Sequence, residues 1–166
     1  MEDMQLLIRF AVADENIIVK DPEVHADALK TITKALNIFA EYLFGKRLSR
    51  NISLLVKFEL LNCNGMVSWV DNNYKPRDFE MLLDPENIGS WENLILTLAH
   101  EMIHIKQYVR DELFQSLKTP SNVIFWCKKE IAFTALDEFE RPWEKEAYNR
   151  EYEVAQEYWK TLNVNP

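Results

Sequence analysis

Residues 100–104 read His100-Glu101-Met102-Ile103-His104. On a helix, positions i and i+4 stand one above the other, so both imidazoles can reach a single Zn²⁺ while Glu101 projects beside them to take a proton from a water that the metal activates. Two of the chain's three histidines fall in this one pattern. Two imidazoles with a nearby carboxylate, and no matching pair of cysteines, suit an open metal site that keeps a position for water better than a closed structural one. The competing account is a pair of hydrogen-bonded histidines on an amphipathic helix, with no metal at all.

Laying residues 94–109 out at about 100° per residue bears on that choice. Leu94, Ile95, Leu98, Met102, Ile105 and Val109 fall on one stripe, the face that packs on a core. The histidines point the other way, together with Thr97, Glu101, Gln107 and Tyr108, while Leu96, Ala99 and Ile103 make the flanks apolar as well. A helix apolar on most sides is largely buried, so its polar side is expected to line a cleft rather than open solvent.

A metal held by two imidazoles requires a further ligand. Arg141-Pro142-Trp143-Glu144-Lys145-Glu146-Ala147-Tyr148 opens a second predicted helix, with Pro142 in its first turn and the pattern running to about Leu162. On the same wheel Trp143, Ala147, Tyr148, Tyr152, Val154, Ala155, Tyr158, Trp159 and Leu162 form a broad apolar arc that contains Glu144 and Glu151, whereas Glu146 falls on the polar side with Asn149, Glu153 and Lys160. Burying a carboxylate is costly unless a cation compensates it. Glu144 is therefore the candidate third ligand, and Glu146 is expected to have no part in metal binding. Glu151 is either a fallback ligand or an acid that holds a ligand in place. Another account of Glu144 is a helix N-terminal carboxylate interacting with the macrodipole. Tyr108 and Tyr148 are the candidate donors to an oxyanion.

With the His-Glu-x-x-His segment at 100–104 and Glu144-Lys145-Glu146-Ala147 after it, the chain resembles the gluzincin group of zincin-fold metallopeptidases. In that group an HExxH helix is completed by a glutamate on a following helix, often opening a Glu-x-x-Ala or Glu-x-x-Ser pattern. Pro142 to Tyr148 is also similar to a stretch of small HExxH proteins of bacteria and their viruses. The matching motifs cover roughly residues 78–160. The resemblance implies a zincin-like domain in which Zn²⁺ is held by His100, His104 and Glu144, and peptide bonds are hydrolysed with Glu101 as the base. It departs from the group where an Asp often follows Glu-x-x-Ala: the residue here is Tyr148, which leaves open whether Glu151 supplies the usual carboxylate support for a ligand histidine. The strand Phe79–Leu83 before the metal helix is, by the same resemblance, the edge along which an extended peptide would add, or else an ordinary buried member of the sheet. The alternative function is a binding or regulatory protein that keeps the zincin scaffold and the metal with little or no peptidase activity.

The rest of the chain must position these residues. At 166 residues, 48% hydrophobic and 12% aromatic, with three glycines, six prolines and no repeat or low-complexity stretch, it reads as one domain over 1–166. A formal net charge of −8 argues against a nucleic-acid backbone or an anionic membrane as partner, leaving a peptide or protein substrate and a monomer as the expectation. The acidic start Met1-Glu2-Asp3-Met4 does not read as a secretory signal, and Cys63 and Cys127 read as free thiols, which together suggest a cytoplasmic protein; a bridge between the two cysteines is the alternative. Asp21-Pro22 starts a helix that stops near Gly45, with Val24, Ala28, Leu29, Ile32, Leu36, Phe39, Ala40 and Leu43 as its buried stripe. Strands are expected over 5–12 and 15–19, then a hairpin of Ile52–Leu60 with Met66–Val70 turning at Asn62-Cys63-Asn64-Gly65. Phe79–Leu83 precedes the metal helix, which opens near Ser90, and a second hairpin, Asn122–Cys127 with Glu130–Thr134, turns around Lys128-Lys129. The sum is an α+β fold: a small, mainly antiparallel sheet packed on the metal-binding helix, with a C-terminal helix bringing the third ligand.

Overall fold

The computed structural model describes residues 6–12, 22–71, 75–115, 118 and 120–163, with Pro22 to His25 as backbone only. Strand β1 (Leu7–Val12) leads to helix α1 (Pro22–Ser49), and β2 (Ser53–Phe58) returns parallel to β1. Parallel neighbours cannot be joined by a tight turn, and α1 lies within the crossover they need. Asp21, the expected cap of α1, and the strand expected over 15–19 lie outside the described residues. The helical geometry breaks at Gly45 (φ 80°, ψ 160°), a conformation that glycine adopts without a side-chain clash, before a last turn to Ser49.

β3 (Gly65–Trp69) and β4 (Asp78–Leu83) complete a four-stranded sheet of order β1-β2-β4-β3. β4 runs parallel to β2 and antiparallel to β3, so it separates the two strands expected to form a hairpin. The sheet is accordingly mixed rather than mainly antiparallel. Phe79, Met81 and Leu83 are wholly buried, which suits an inner position, whereas β3 exposes Met66 and Ser68 and takes the edge. Phe79–Leu83 is thus an interior strand, and the free edge nearest the helix that carries His100 and His104 is that of β3.

Asp84 ends β4 and caps the short helix α2 (Pro85–Ile88). Its buried carboxylate accepts hydrogen bonds from the N–H groups of Leu61 (2.7 Å), Glu86 (2.9 Å) and Asn87 (3.1 Å), which ties the loop before β3 to the approach of the next helix. Burial alone would raise the pKa of this carboxyl; the backbone donors outweigh it and hold the group below its ordinary value.

Leu54, Val56, Phe79, Met81 and Leu83 share the covered face of the sheet, and the other face carries partly exposed pairs such as Lys57–Glu80 at 2.7 Å. Helices α1, α3 (Trp91–Val109) and α4 (Pro142–Leu162) join the covered face in one core. Ser90 caps α3 by accepting from the Asn93 N–H, and Pro142 occupies the first turn of α4. The stripe Leu94, Ile95, Leu98, Met102, Ile105 and Val109 is buried, and so are Thr97, Ala99, Glu101, Ile103 and Gln107, so α3 is covered on nearly every side. On α4 the buried stripe narrows to Trp143, Ala147, Val154, Ala155 and Tyr158, while Tyr148, Tyr152 and Leu162 of the expected arc are exposed. Between the two helices, β5 (Leu113–Phe114), β6 (Val123–Trp126) and β7 (Lys129–Ala132) form a small antiparallel sheet that buries Leu113 and Ile124 against Trp143. Its hairpin turns at Cys127-Lys128, both at positive φ, one residue earlier than expected. Both cysteines are free thiols, and no helix among the described residues is long and apolar enough to cross a membrane.

The approach of β3 to α3 depends on Gly65. A Cβ at that position would stand 2.8 Å from Thr97 Cγ2 and 3.2 Å from Leu82 O. Gly65→Ala is therefore expected to lower stability by ~1–3 kcal/mol through overpacking. Urea or thermal denaturation reads the change, and an unaltered midpoint would show that the two elements separate there at no cost.

Candidate metal centre

One turn of α3 separates His100 from His104, and Glu144 reaches them from the first turn of α4. The two Nε2 atoms lie 3.2 Å apart, and each lies 3.4 Å from Glu144 Oε2. The far nitrogens are engaged: His100 Nδ1 is 2.8 Å from Glu151 Oε2, and His104 Nδ1 is 2.9 Å from Gln107 Oε1. Carboxylate and amide oxygens accept, so in the neutral rings each Nδ1–H donates and each Nε2 keeps its lone pair. Three electron pairs then face one another. A tetrahedral zinc ion with bonds of about 2.0–2.1 Å has ligand-to-ligand edges of roughly 3.3–3.4 Å, which is the spacing of this triangle. The three side chains could hold a metal ion.

Burial pulls the pKa of His100 down, but hydrogen bonds to Glu144 and Glu151 outweigh it and push the imidazole up to about 10. His104 is raised in the same way, chiefly by Glu144 against its own burial. Burial pushes Glu144 upward, and the two histidines bring it down to about 2. Glu101 differs: burial raises its pKa, and the two histidines and the N–H of Val67 only partly counter that. A buried carboxyl with a raised pKa is suited to taking up and returning a proton.

These residues line a cavity of about 660 Å³ between α3, α4, β3 and the loop held by Asp84. The Asp84 N–H donates to Asn64 O and the Val70 N–H to Asp78 O, each at 2.9 Å. In the register between those bonds, Met66 and Ser68 turn their backbone groups toward β4, and Gly65, Val67 and Trp69 turn theirs to the free edge.

Of the two candidate oxyanion donors, Tyr148 is on the cavity wall, its ring edge-on to His100 at 4.7 Å. Tyr108 is not; it packs on Trp69 (5.0 Å) and Phe79 (6.2 Å), and burial raises its pKa. Glu151 stands behind His100, as one of its two expected roles required. Arg141 was not among the sequence candidates. Its position three residues before Glu144 was the available signal, since i and i+3 share a helix face. Among the described residues it is the only lysine or arginine lining the cavity; its guanidinium lies over Phe133 at 5.5 Å, and its Nε is buried with no hydrogen-bond partner.

Glu146 requires a correction. Instead of facing solvent it is half-buried, 2.6 Å from Lys106 Nζ and 2.9 Å from Gln107 Nε2, because the last turns of α3 cover that side of α4. A wheel drawn for one helix alone cannot show a second helix lying on its flank.

A metal ion entering the cluster must displace the proton held at His100. Apparent zinc affinity is therefore expected to rise about tenfold per pH unit for each proton released, from pH 6 to 8. His100→Ala and His104→Ala should each bind zinc at least about tenfold more weakly with α3 intact, and Glu144→Gln likewise. Competition titrations against a chelator, with circular dichroism for helicity, read both effects; pH-independent binding, or full affinity in these variants, would place the ion elsewhere. No protein-family model, curated protein or solved structure matches the chain.

Proposed function

We propose that the protein is a zinc-dependent peptidase of gluzincin type, built on a zincin-like scaffold. The observation that carries this reading is the convergence of His100 Nε2, His104 Nε2 and Glu144 Oε2 at 3.2–3.4 Å, with Glu101 in the same cavity. Zinc bound by these three residues would supply Lewis acidity, lowering the pKa of water toward ~7 and polarising a peptide carbonyl. Glu101 takes the proton from the attacking water and hands it to the leaving amine, a task for which burial has already raised its pKa. Arg141 and Tyr148 offer donors from the cavity wall to the carbonyl oxygen as negative charge develops there. An extended peptide adds along the free edge of β3, where Gly65, Val67 and Trp69 turn their main-chain groups away from β4, rather than along Phe79–Leu83.

The test is cleavage of a peptide library by zinc-loaded protein, read by mass spectrometry. Glu101→Gln should keep zinc and lose hydrolysis by at least ~10²-fold. Arg141→Met should also keep zinc and lower kcat by about 10²–10³-fold, the cost of removing one oxyanion donor. Cleavage by Glu101→Gln at the parent rate would reject the mechanism. A parent that binds zinc and cleaves nothing would support the binding or regulatory reading of the same scaffold.

A further inference from the structure

Behind His104, on the side away from the cavity, α3 and α4 share a buried polar junction. Gln107 is wholly buried, and every polar atom of its amide is engaged. Nε2 donates to the backbone oxygen of Trp143 and to Glu146 Oε2, both at 2.9 Å, while Oε1 faces His104 Nδ1 at 2.9 Å. The orientation is forced. A backbone carbonyl and a carboxylate can only accept, so the amide nitrogen must face α4 and the amide oxygen must face the histidine. The oxygen in turn requires a proton on Nδ1, which leaves the lone pair of Nε2 for the cluster.

Glu146 keeps its charge in this half-buried place because Lys106 Nζ lies 2.6 Å and Arg150 Nη1 3.2 Å from its other oxygen, Oε1. Lys106 is itself nearly buried and is shared with Glu112 Oε2 at 2.6 Å. The turn of α4 that carries Glu144 therefore grips α3 at two neighbouring points, the carbonyl of Trp143 and the carboxylate of Glu146.

We propose that Gln107 and Glu146 are positioning residues for the metal centre: together they set the tautomer and ring plane of His104 and seat the Glu144 turn against both imidazoles. The proposal rests on the metal-site reading and assigns Glu146 a part that its place on the helical wheel denies it. Glu146→Gln is the sharpest probe. A glutamine there has one oxygen for two sets of donors. If that oxygen meets Lys106 and Arg150, its nitrogen meets the nitrogen of Gln107, which must rotate and turn a donor toward His104. The proton then moves to Nε2, where it competes with the ion.

The experiment is a zinc competition titration on the full chain with Glu146→Gln, Gln107→Met and Glu112→Gln, with circular dichroism of each metal-free variant. Long-range ¹H–¹⁵N correlation of the histidine rings in the zinc-loaded proteins supplies a signature that a loss of stability alone would not move. Glu146→Gln and Gln107→Met should bind zinc about 10–100-fold more weakly with helix content unchanged, the range for loss of a group that orients a ligand histidine. Each should also lose the slowly exchanging, hydrogen-bonded Nδ1–H signal of His104, because the acceptor that Gln107 Oε1 supplies is gone. Glu112→Gln, which keeps the backbone bonds and alters only the carboxylate beside Lys106, should stay within about twofold of the parent. If Gln107→Met fails to fold, Glu146→Gln decides. Parent-like affinity and an unaltered His104 signature in Glu146→Gln would overturn this proposal alone, whereas a parent that takes up no zinc would overturn the metal-site reading and this proposal together.

Discussion

Two imidazole nitrogens and a carboxylate oxygen of mostly buried side chains meet at 3.2–3.4 Å, and such a meeting is repulsive unless positive charge stands between them. The usual escape, rotating a ring to offer its other nitrogen, is blocked because each Nδ1 already has an acceptor, Glu151 on one side and Gln107 on the other. Only a proton or a metal ion can relieve the cluster. The direction of the pKa shifts follows directly, with both histidines driven up and Glu144 driven down. Burial strengthens each interaction and makes the uncompensated state more costly still, so the helices around the site must be packed well enough to hold like groups together.

Periodicity and capping are local, and what depended on them was legible in the residues. Ser90 and Pro142 mark the starts of α3 and α4 where the cap and proline rules place them, and the core stripe of α3 follows from spacing alone. A carboxylate inside an apolar arc needs a cation, which singles out Glu144, and its Oε2 stands 3.4 Å from each histidine. The same wheel failed for Glu146, Tyr148 and Tyr152, since it assumes one core on one side. In the folded chain α4 meets α3 along one flank and the small sheet near its start, so one turn is buried where the wheel shows solvent and later aromatic residues are open where it shows core.

Strand order was not legible, and the reason is again the range of the interaction. Asn62-Cys63-Asn64-Gly65 marks where a strand begins but says nothing about which strand receives it. The turn signal predicts pairing of β3 with β2, its neighbour in sequence; β3 pairs instead with β4, which follows it and has the more deeply buried face. The Asp84 carboxylate, bonded at once to Leu61 and to the start of α2, fixes this arrangement. Contacts of this kind join residues distant in the chain and cannot be inferred from the spacing of apolar residues.

The misplaced strand bears directly on the chemistry. With β4 inside the sheet, the edge nearest α3 is β3, and Gly65 allows it to come close enough that a methyl group would collide with Thr97. That closeness helps enclose Glu101, which lies one turn after Thr97 and has the N–H of Val67 beside it. Enclosure removes water from the carboxyl and raises its pKa, while the histidines and the strand N–H keep the rise within bounds. The glycine that shapes the sheet edge thus helps set the proton affinity of Glu101, and the main-chain groups of that edge lie beside the same carboxyl. Scaffold and site are coupled through one close approach, between the start of β3 and the middle of α3.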